Sequence, residues 1–251
     1  MQKEEELLKK RLIELSRIAN NQGRTTFSDF LNLNELNILH TTPSQNLYTC
    51  YKSFGGYVTA ERQVVAFISD VVCGDLNYPI SILEIQALNL KYAEVLNHRD
   101  YLGAILNLGI DRTKIGDILV EDSKAIIFVQ EMLCDFIINN LTKIKHTSIS
   151  IKKQKFFNKD YEPSYEIIKG TVASIRLDSL ISMVFTSSRS KLVPLIEGGK
   201  VFVNSKLITT NSYNVKENDL ISVRGLGKFQ YKEVLTNTKK GRLYISVLKY
   251  K

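Results

Sequence analysis

Apolar positions at helical spacing open the chain. Leu7, Leu8, Leu12, Leu15 and Ile18 recur between charged residues, which predicts a helix over Glu4 to Asn20 with Gly23 as its stop. Thr26 to Leu39 reads as a second, shorter helix with Ser28 as cap, closed by Pro43. Leu47 to Ser53 and Val64 to Ser69 have strand character, and the turn Phe54-Gly55-Gly56-Tyr57 lies between them. Asn77-Tyr78-Pro79 is the first candidate boundary.

The next stretch alternates in a different way. Ile80 to Leu88 is a predicted strand. His98 to Leu108 is a helix with Leu102, Ile105, Leu106 and Leu108 as its apolar set and Gly109 as its end. Two short strands follow, Ile115 to Val120 and Ala125 to Val129, then a helix from Gln130 to Leu141 and a strand from Ser148 to Lys152. Strand, helix, strand, strand, helix, strand is the ferredoxin-like order. Many RNA-recognition domains use it, but so do unrelated proteins, so the layout alone assigns no function. Lys152 to Lys169 is polar, basic and interrupted by Pro163, and reads as a linker or a ragged strand pair, with Phe156 and Phe157 among Lys152, Lys153, Lys155 and Lys159. That mixture suits phosphate contact with base stacking, and it equally suits a solvated connection around a buried aromatic pair.

Residues 173–225 return to helix and strand in quick succession. Ile175-Arg176-Leu177-Asp178 opens a helix with Leu180, Ile181 and Val184 on one face. Thr186-Ser187-Ser188 offers caps for a second helix, which runs to Glu197 and ends at Gly198-Gly199. Strands follow at Lys200 to Val203, turning at Asn204-Ser205, and at Leu220 to Val223, closed by Arg224-Gly225.

Charge changes the picture here. The chain has 251 residues, enough for two or three small domains, and a net charge of +8. Residues 170–251 hold 14 Lys and Arg against 5 Asp and Glu, so the whole excess sits in the last third. A field of that sign draws in polyanions. The cations lie in strand-and-turn sequence, not along one amphipathic helix, which argues for nucleic acid over a membrane surface. Helix first turns have unpaired N–H groups and partial positive charge, and phosphate binds there. Arg189 and Lys191, with the hydroxyls of Ser188 and Ser190, stand on such a turn, and Lys200, Lys206 and Arg224 extend the basic set.

This stretch resembles the S4 domain, an RNA-binding unit. The resemblance rests on Arg176-Leu177-Asp178, Ser188-Arg189-Ser190, Leu195-Ile196 with Gly199, Val201, Val203-Asn204, Asp219 and Val223-Arg224-Gly225. It implies a helical pair against a small sheet that grips folded RNA at Arg189, Ser190 and Lys191, with Arg176 and Asp178 structural or mixed in role. Pro194 inside the second helix and Ser205, where the family often has Gly, depart from the pattern. The wider chain resembles the YlmH proteins through Phe54-Gly55-Gly56-Tyr57 with Ala60-Glu61-Arg62, His98 to Gly103, Ile115-Gly116-Asp117-Ile118 and Lys239-Lys240-Gly241-Arg242. That resemblance implies association with ribosomal RNA and tRNA on the large ribosomal subunit during quality control of stalled translation, and more weakly a link to cell division.

Enzyme readings find little support. His98-Arg99-Asp100 matches the start of the kinase catalytic loop, but Ile105 stands where that loop needs Asn. Asp100 then reads as a helix-start residue, Arg99 as surface and His98 as a structural histidine. S4 domains are also fused to RNA-modifying enzymes such as pseudouridine synthases, whose catalytic Asp has an R-L-D context, so Asp178 is a candidate to check. Cys50, Cys73 and Cys134, and His40, His98 and His146, are scattered, without disulfide or zinc spacing. No nucleotide or dinucleotide loop appears.

The expectation is therefore an α+β protein. A small α/β unit spans 1–77, a ferredoxin-like (RRM-like) domain with a basic linker spans 78–169, and an S4-like domain spans 170–251. The expected function is non-catalytic RNA binding, with an RNA-modifying enzyme or an adaptor as alternatives. The expected protein is monomeric, without cofactor, metal, membrane partner or small-molecule substrate. The charged start carries no signal-peptide core and no apolar run reaches the roughly 20 residues of a membrane helix, so a cytoplasmic location is expected.

Overall fold

A computed structural model describes residues 2–71, 76–121, 124–155, 165–238 and 241–250. The chain divides into two compact units, Met1–Asn158 and Lys159–Lys251. All three sheets among the described residues are antiparallel, and the fold is α+β.

The first unit begins with α1 (Gln2–Gln22), β1 (Thr26–Leu31), α2 (Leu33–Thr41), β2 (Cys50–Phe54) and β3 (Gln63–Ile68). The strands pair in the order β1-β3-β2. Leu12, Leu15 and Ala19 of α1 bury against Leu36 and Leu39 of α2 and Val65 and Phe67 of β3. The single helix expected over Thr26 to Leu39 is a strand followed by a helix. Asn32 divides them: its side chain accepts from the Asn34 and Glu35 amides while the Glu35 carboxylate accepts from Asn32 N–H. This closed capping box starts a helix at Leu33, and helical apolar spacing begins only there. Ser28 caps nothing. Its hydroxyl accepts from Val65 N–H at 2.9 Å and ties β1 to β3.

The unit continues with β4 (Ile80–Ala87), α3 (His98–Leu106), β5 (Ile115–Glu121), β6 (Lys124–Gln130), α4 (Cys134–Asn140), β7 (Lys143–Ile144) and β8 (Thr147–Gln154). The strand order is β5-β6-β4-β8-β7. Both helices pack on this sheet through Tyr101, Ile105, Cys134 and Ile137, against Leu83, Ile85, Ile127 and Val129. The helix expected from Gln130 splits into a 3-10 turn, Glu131–Leu133, and the shorter α4. The hairpin β7 to β8 was not expected. Lys145 turns it at φ +52, and Lys145 also reaches the Asp100 carboxylate at 2.8 Å. Asp100 is indeed a helix-start residue, in a capping box with Asn97. His98 is the first residue of α3 and is exposed.

Two of the motifs shared with the YlmH pattern, Phe54 to Arg62 and Ile115 to Ile118, meet in this unit as a clasp. The Asp117 carboxylate on β5 accepts from the Tyr57 hydroxyl at 2.8 Å and from the Glu61 and Arg62 amides at 2.7 and 3.1 Å. The Arg62 guanidinium donates to the carbonyls of Ile115, Phe30 and Arg112. Burial, and then the Asp117 carboxylate, push the Tyr57 hydroxyl up from its ordinary pKa. Burial, and then neighbouring Arg62, pull Arg112 down to about 10. Tyr57 stacks on Phe128 with ring centroids 5.2 Å apart. Gly56, at φ +101, leaves room for that ring: a Cβ there would lie 2.2 Å from Phe128. Asp117 is half-buried, and removing its carboxylate leaves three donors unpaired.

The second unit contains β9 (Tyr165–Val172), α5 (Leu177–Val184), α6 (Arg189–Glu197), β10 (Val201–Val203), β11 (Lys206–Leu207), β12 (Leu220–Val223), β13 (Gly227–Asn237) and β14 (Leu243–Tyr250). They form one sheet in the order β11-β10-β12-β13-β14-β9. Leu177, Leu180, Ile181 and Val184 of α5 and Leu192 and Ile196 of α6 bury against Val201, Val203, Ile221, Val223, Phe229, Ile245 and Val247. Each such fully buried side chain contributes roughly 1.5–3 kcal/mol. The long strands β13 and β14 lie beyond the predicted motif and were not expected, while β9 takes up the end of the stretch read as a linker or a ragged strand pair. No described helix is long and apolar enough to cross a membrane.

Candidate nucleic-acid interface

The second helix of the basic unit starts where the sequence places it. Ser188 is its N-cap residue, with extended backbone (φ −66°, ψ 145°), but its hydroxyl caps no backbone amide. It meets the Ser190 hydroxyl at 3.0 Å instead. The first-turn amides of α6 therefore carry no side-chain cap and keep their capacity to bind an anion. Ser188, Ser190 and Lys191 are exposed on this turn, while Leu192 and Ile196 anchor the opposite side of the helix in the core. Arg189 is the first residue of α6; its side chain lies outside the described residues. Gly199, at φ +70, ends the segment as expected, and Pro194 lies within the assigned helix, leaving the Ser190 carbonyl without its usual donor.

The remaining candidates stand on or next to other elements of the unit. The Arg176 guanidinium is engaged by Asp178 through two contacts of 3.1 Å. Asp178 is buried and also accepts from the Ser179 amide at 2.9 Å. The pair closes the start of α5, whose Leu177 and Asp178 amides are taken by the Tyr213 and Asn211 carbonyls. A carboxylate committed in this way has a folding role.

Strand alternation separates the others. Val201 and Val203 face the helices, so Phe202 faces away. Arg224 stands over Phe202, its guanidinium carbon 5.3 Å from the ring centroid, and its amide donates to the Lys200 carbonyl at 2.9 Å. Lys206 pairs with Val203 and so stands on the helix side of the edge strand β11. The candidates thus divide into an α6 tip (Ser188 to Lys191), an Arg224–Lys200 pair on the other face of the sheet, and Lys206 at the edge.

Two further motif residues have structural work. Asn204 and Ser205 turn the hairpin at φ +48 and +64. Asn204 donates to the Asp219 carboxylate at 2.7 Å and accepts from the Leu220 amide at 2.9 Å, while Asp219 also accepts from Lys216 N–H. Sequence reasoning missed the cations on the long strands. Lys249 lies 5.3 Å from the Phe185 ring centroid, and Lys169 and Lys228 stand on the sheet face away from the helices. Their strand period was the signal. Phe156, Phe157 and Lys159 of the basic linker lie outside the described residues, as do Cys73, Lys239 and Lys240. Among the described residues, no group of three or more His, Cys, Asp or Glu is placed to hold a metal.

Comparison with known proteins bears on both units. Residues 75–158 match a family described as "Putative RNA-binding domain in YlmH". Residues 175–221 match the S4 domain. The chain is 31% identical over 234 residues to "Ribosome-associated protein quality control protein P2" of Bacillus subtilis (strain 168), covering 92% of this chain and 89% of that protein. Among solved structures it is similar to "Cell division protein ylmH from Streptococcus pneumoniae". That likeness has a TM-score of 0.50 at 24% identity, over 60% of this chain and 91% of the other.

Proposed function

The chain belongs to the YlmH family, with an S4 domain in its C-terminal unit, and from that membership we propose a non-catalytic protein of ribosome-associated quality control. It binds ribosomal RNA and tRNA on the large ribosomal subunit when translation has stalled, as a cytoplasmic monomer. The single observation that carries this reading is the start of α6. An uncapped helix tip presents Ser188, Ser190 and Lys191 to solvent within a region of 14 Lys and Arg against 5 Asp and Glu. Arg189 and Lys191 serve as the principal phosphate contacts, and Lys200, Lys206 and Arg224 as secondary ones. Arg176 acts through its hold on Asp178.

We read the sheet β5-β6-β4-β8 with α3 and α4 as a ferredoxin-like domain. Its strand order supports this, because the sequence order strand-helix-strand-strand-helix-strand yields this arrangement in that fold. The division at 77 is supported by the family match that starts at residue 75, whereas a division at 169 would cut β9, which pairs with β14 in the sheet of the second unit, so we place that boundary near 158. This domain positions the protein or touches RNA weakly.

Sedimentation of the tagged protein through a sucrose gradient tests the reading. The expected result is co-migration with free large subunits over whole ribosomes. Recovery only at the top of the gradient at low salt overturns it.

A further inference from the structure

The sheet of the second unit carries its helices on one face only. On the edge strand β9, Ile168 and Val172 turn toward the helical core with Ile245 and Val247 of β14. Their alternates must therefore face the other way. These are Tyr165, Ile167 and Lys169, in register with Tyr250, Leu248 and Ser246 of β14. Tyr165 is 48% exposed and Ile167 56%, high values for large apolar side chains in a paired strand. The Tyr165 and Tyr250 rings lie 6.3 Å apart, edge to face. The Tyr250 hydroxyl donates to Gln230 on β13 at 3.4 Å. Lys228 is next to Phe229, which pairs with Lys249 in the register that places Lys228 at the Tyr250 end of the surface.

We propose that this outer sheet face binds an unpaired RNA strand. Bases stack on Tyr165 and Tyr250, Ile167 and Leu248 form the floor, and Lys169 and Lys228 hold the phosphates at either end. Aromatic rings interleaved with cations on an open sheet are the combination that captures single strands, because every base has a π-face and every linkage a charge. Charge complementarity decides against a protein partner. Glu233 is the one carboxylate this face offers among the described residues, and the surrounding region is strongly basic.

The inference rests on the RNA-binding reading but assigns a second surface and a different RNA state. The α6 tip grips the backbone of folded RNA, whose paired bases cannot reach the tyrosines.

The test uses the full chain and two labelled probes followed by fluorescence anisotropy: an oligouridine of about ten nucleotides and a fully paired RNA hairpin. Tyr165→Ala should weaken oligouridine binding by about 5- to 100-fold and leave the hairpin unaffected. Tyr165→Phe should bind oligouridine as the parent chain does, and Lys169→Glu should weaken it. The Arg189→Ala/Lys191→Ala variant should show the reverse selectivity and lose the hairpin. The proposal is overturned if the parent chain does not bind oligouridine, or if Tyr165→Ala binds it unchanged. It is also overturned if Tyr165→Ala instead dissolves a dimer seen in sedimentation, which would assign the face to a second copy. Failure of the tip reading alone would appear as unchanged hairpin binding in the double variant.

Discussion

At the scale of single residues, the chain's recognisable motifs divide into those that build and those that bind. Asp117 builds: it satisfies three donors from the loop carrying Gly55, Gly56 and Arg62. Asp117→Ala strands those donors and should cost about 3 kcal/mol, read as a drop in the urea midpoint of the first unit. An unchanged midpoint would show the clasp to be ornamental. Two glycines give a sharper contrast. Gly56→Ala meets the Phe128 ring and an unfavourable φ together, whereas Gly109→Ala, at φ +83, meets open space. The first should destabilise by more than about 2 kcal/mol and the second by about 1 kcal/mol, measured by thermal unfolding. The sequence singled out these motif residues as a group, but their role was hidden. Asp117 and Tyr57 are 60 positions apart, and only the tertiary fold brings them within 2.8 Å.

At the scale of elements, the periodic helices were legible and the strands only in part. The first helix and α5 lie where apolar spacing puts them, because burying one helical face requires that spacing, and α6 lies between its cap residues and Gly198-Gly199. Residues 26–31 were lost to the helix behind them, since Phe27, Phe30 and Leu31 fit either period over so short a run. The capping box at Asn32 was readable in the sequence and marks the true start of the helix. Asn32→Ala should cost about 1 kcal/mol in an unfolding experiment. The hairpin at Asn204-Ser205 carries a cost of its own, with Ser205 in the left-handed region. Ser205→Gly should stabilise the second unit by about 0.5 kcal/mol by removing that strain, offset in part by the freedom glycine gains when unfolded. The S4 resemblance covered the helices and the short strands. It left out β9, β13 and β14, whose mixed polar and apolar faces belong to a sheet covered on one side only.

At the scale of the whole molecule, charge is divided along the chain, with residues 1–169 near neutrality and the excess beyond them. That division was fully legible, because it needs no structure. The structure adds that strand alternation sends Arg224 and Lys206 to different faces of the sheet. The salt dependence of RNA binding tests the α6 tip reading most directly. With four to six phosphate contacts, the slope of log affinity against log salt for large-subunit ribosomal RNA should be about −3 to −5. In the Arg189→Ala/Lys191→Ala variant it should flatten by about 2. A variant that binds with the parent slope would place the RNA elsewhere on the molecule and contradict the account.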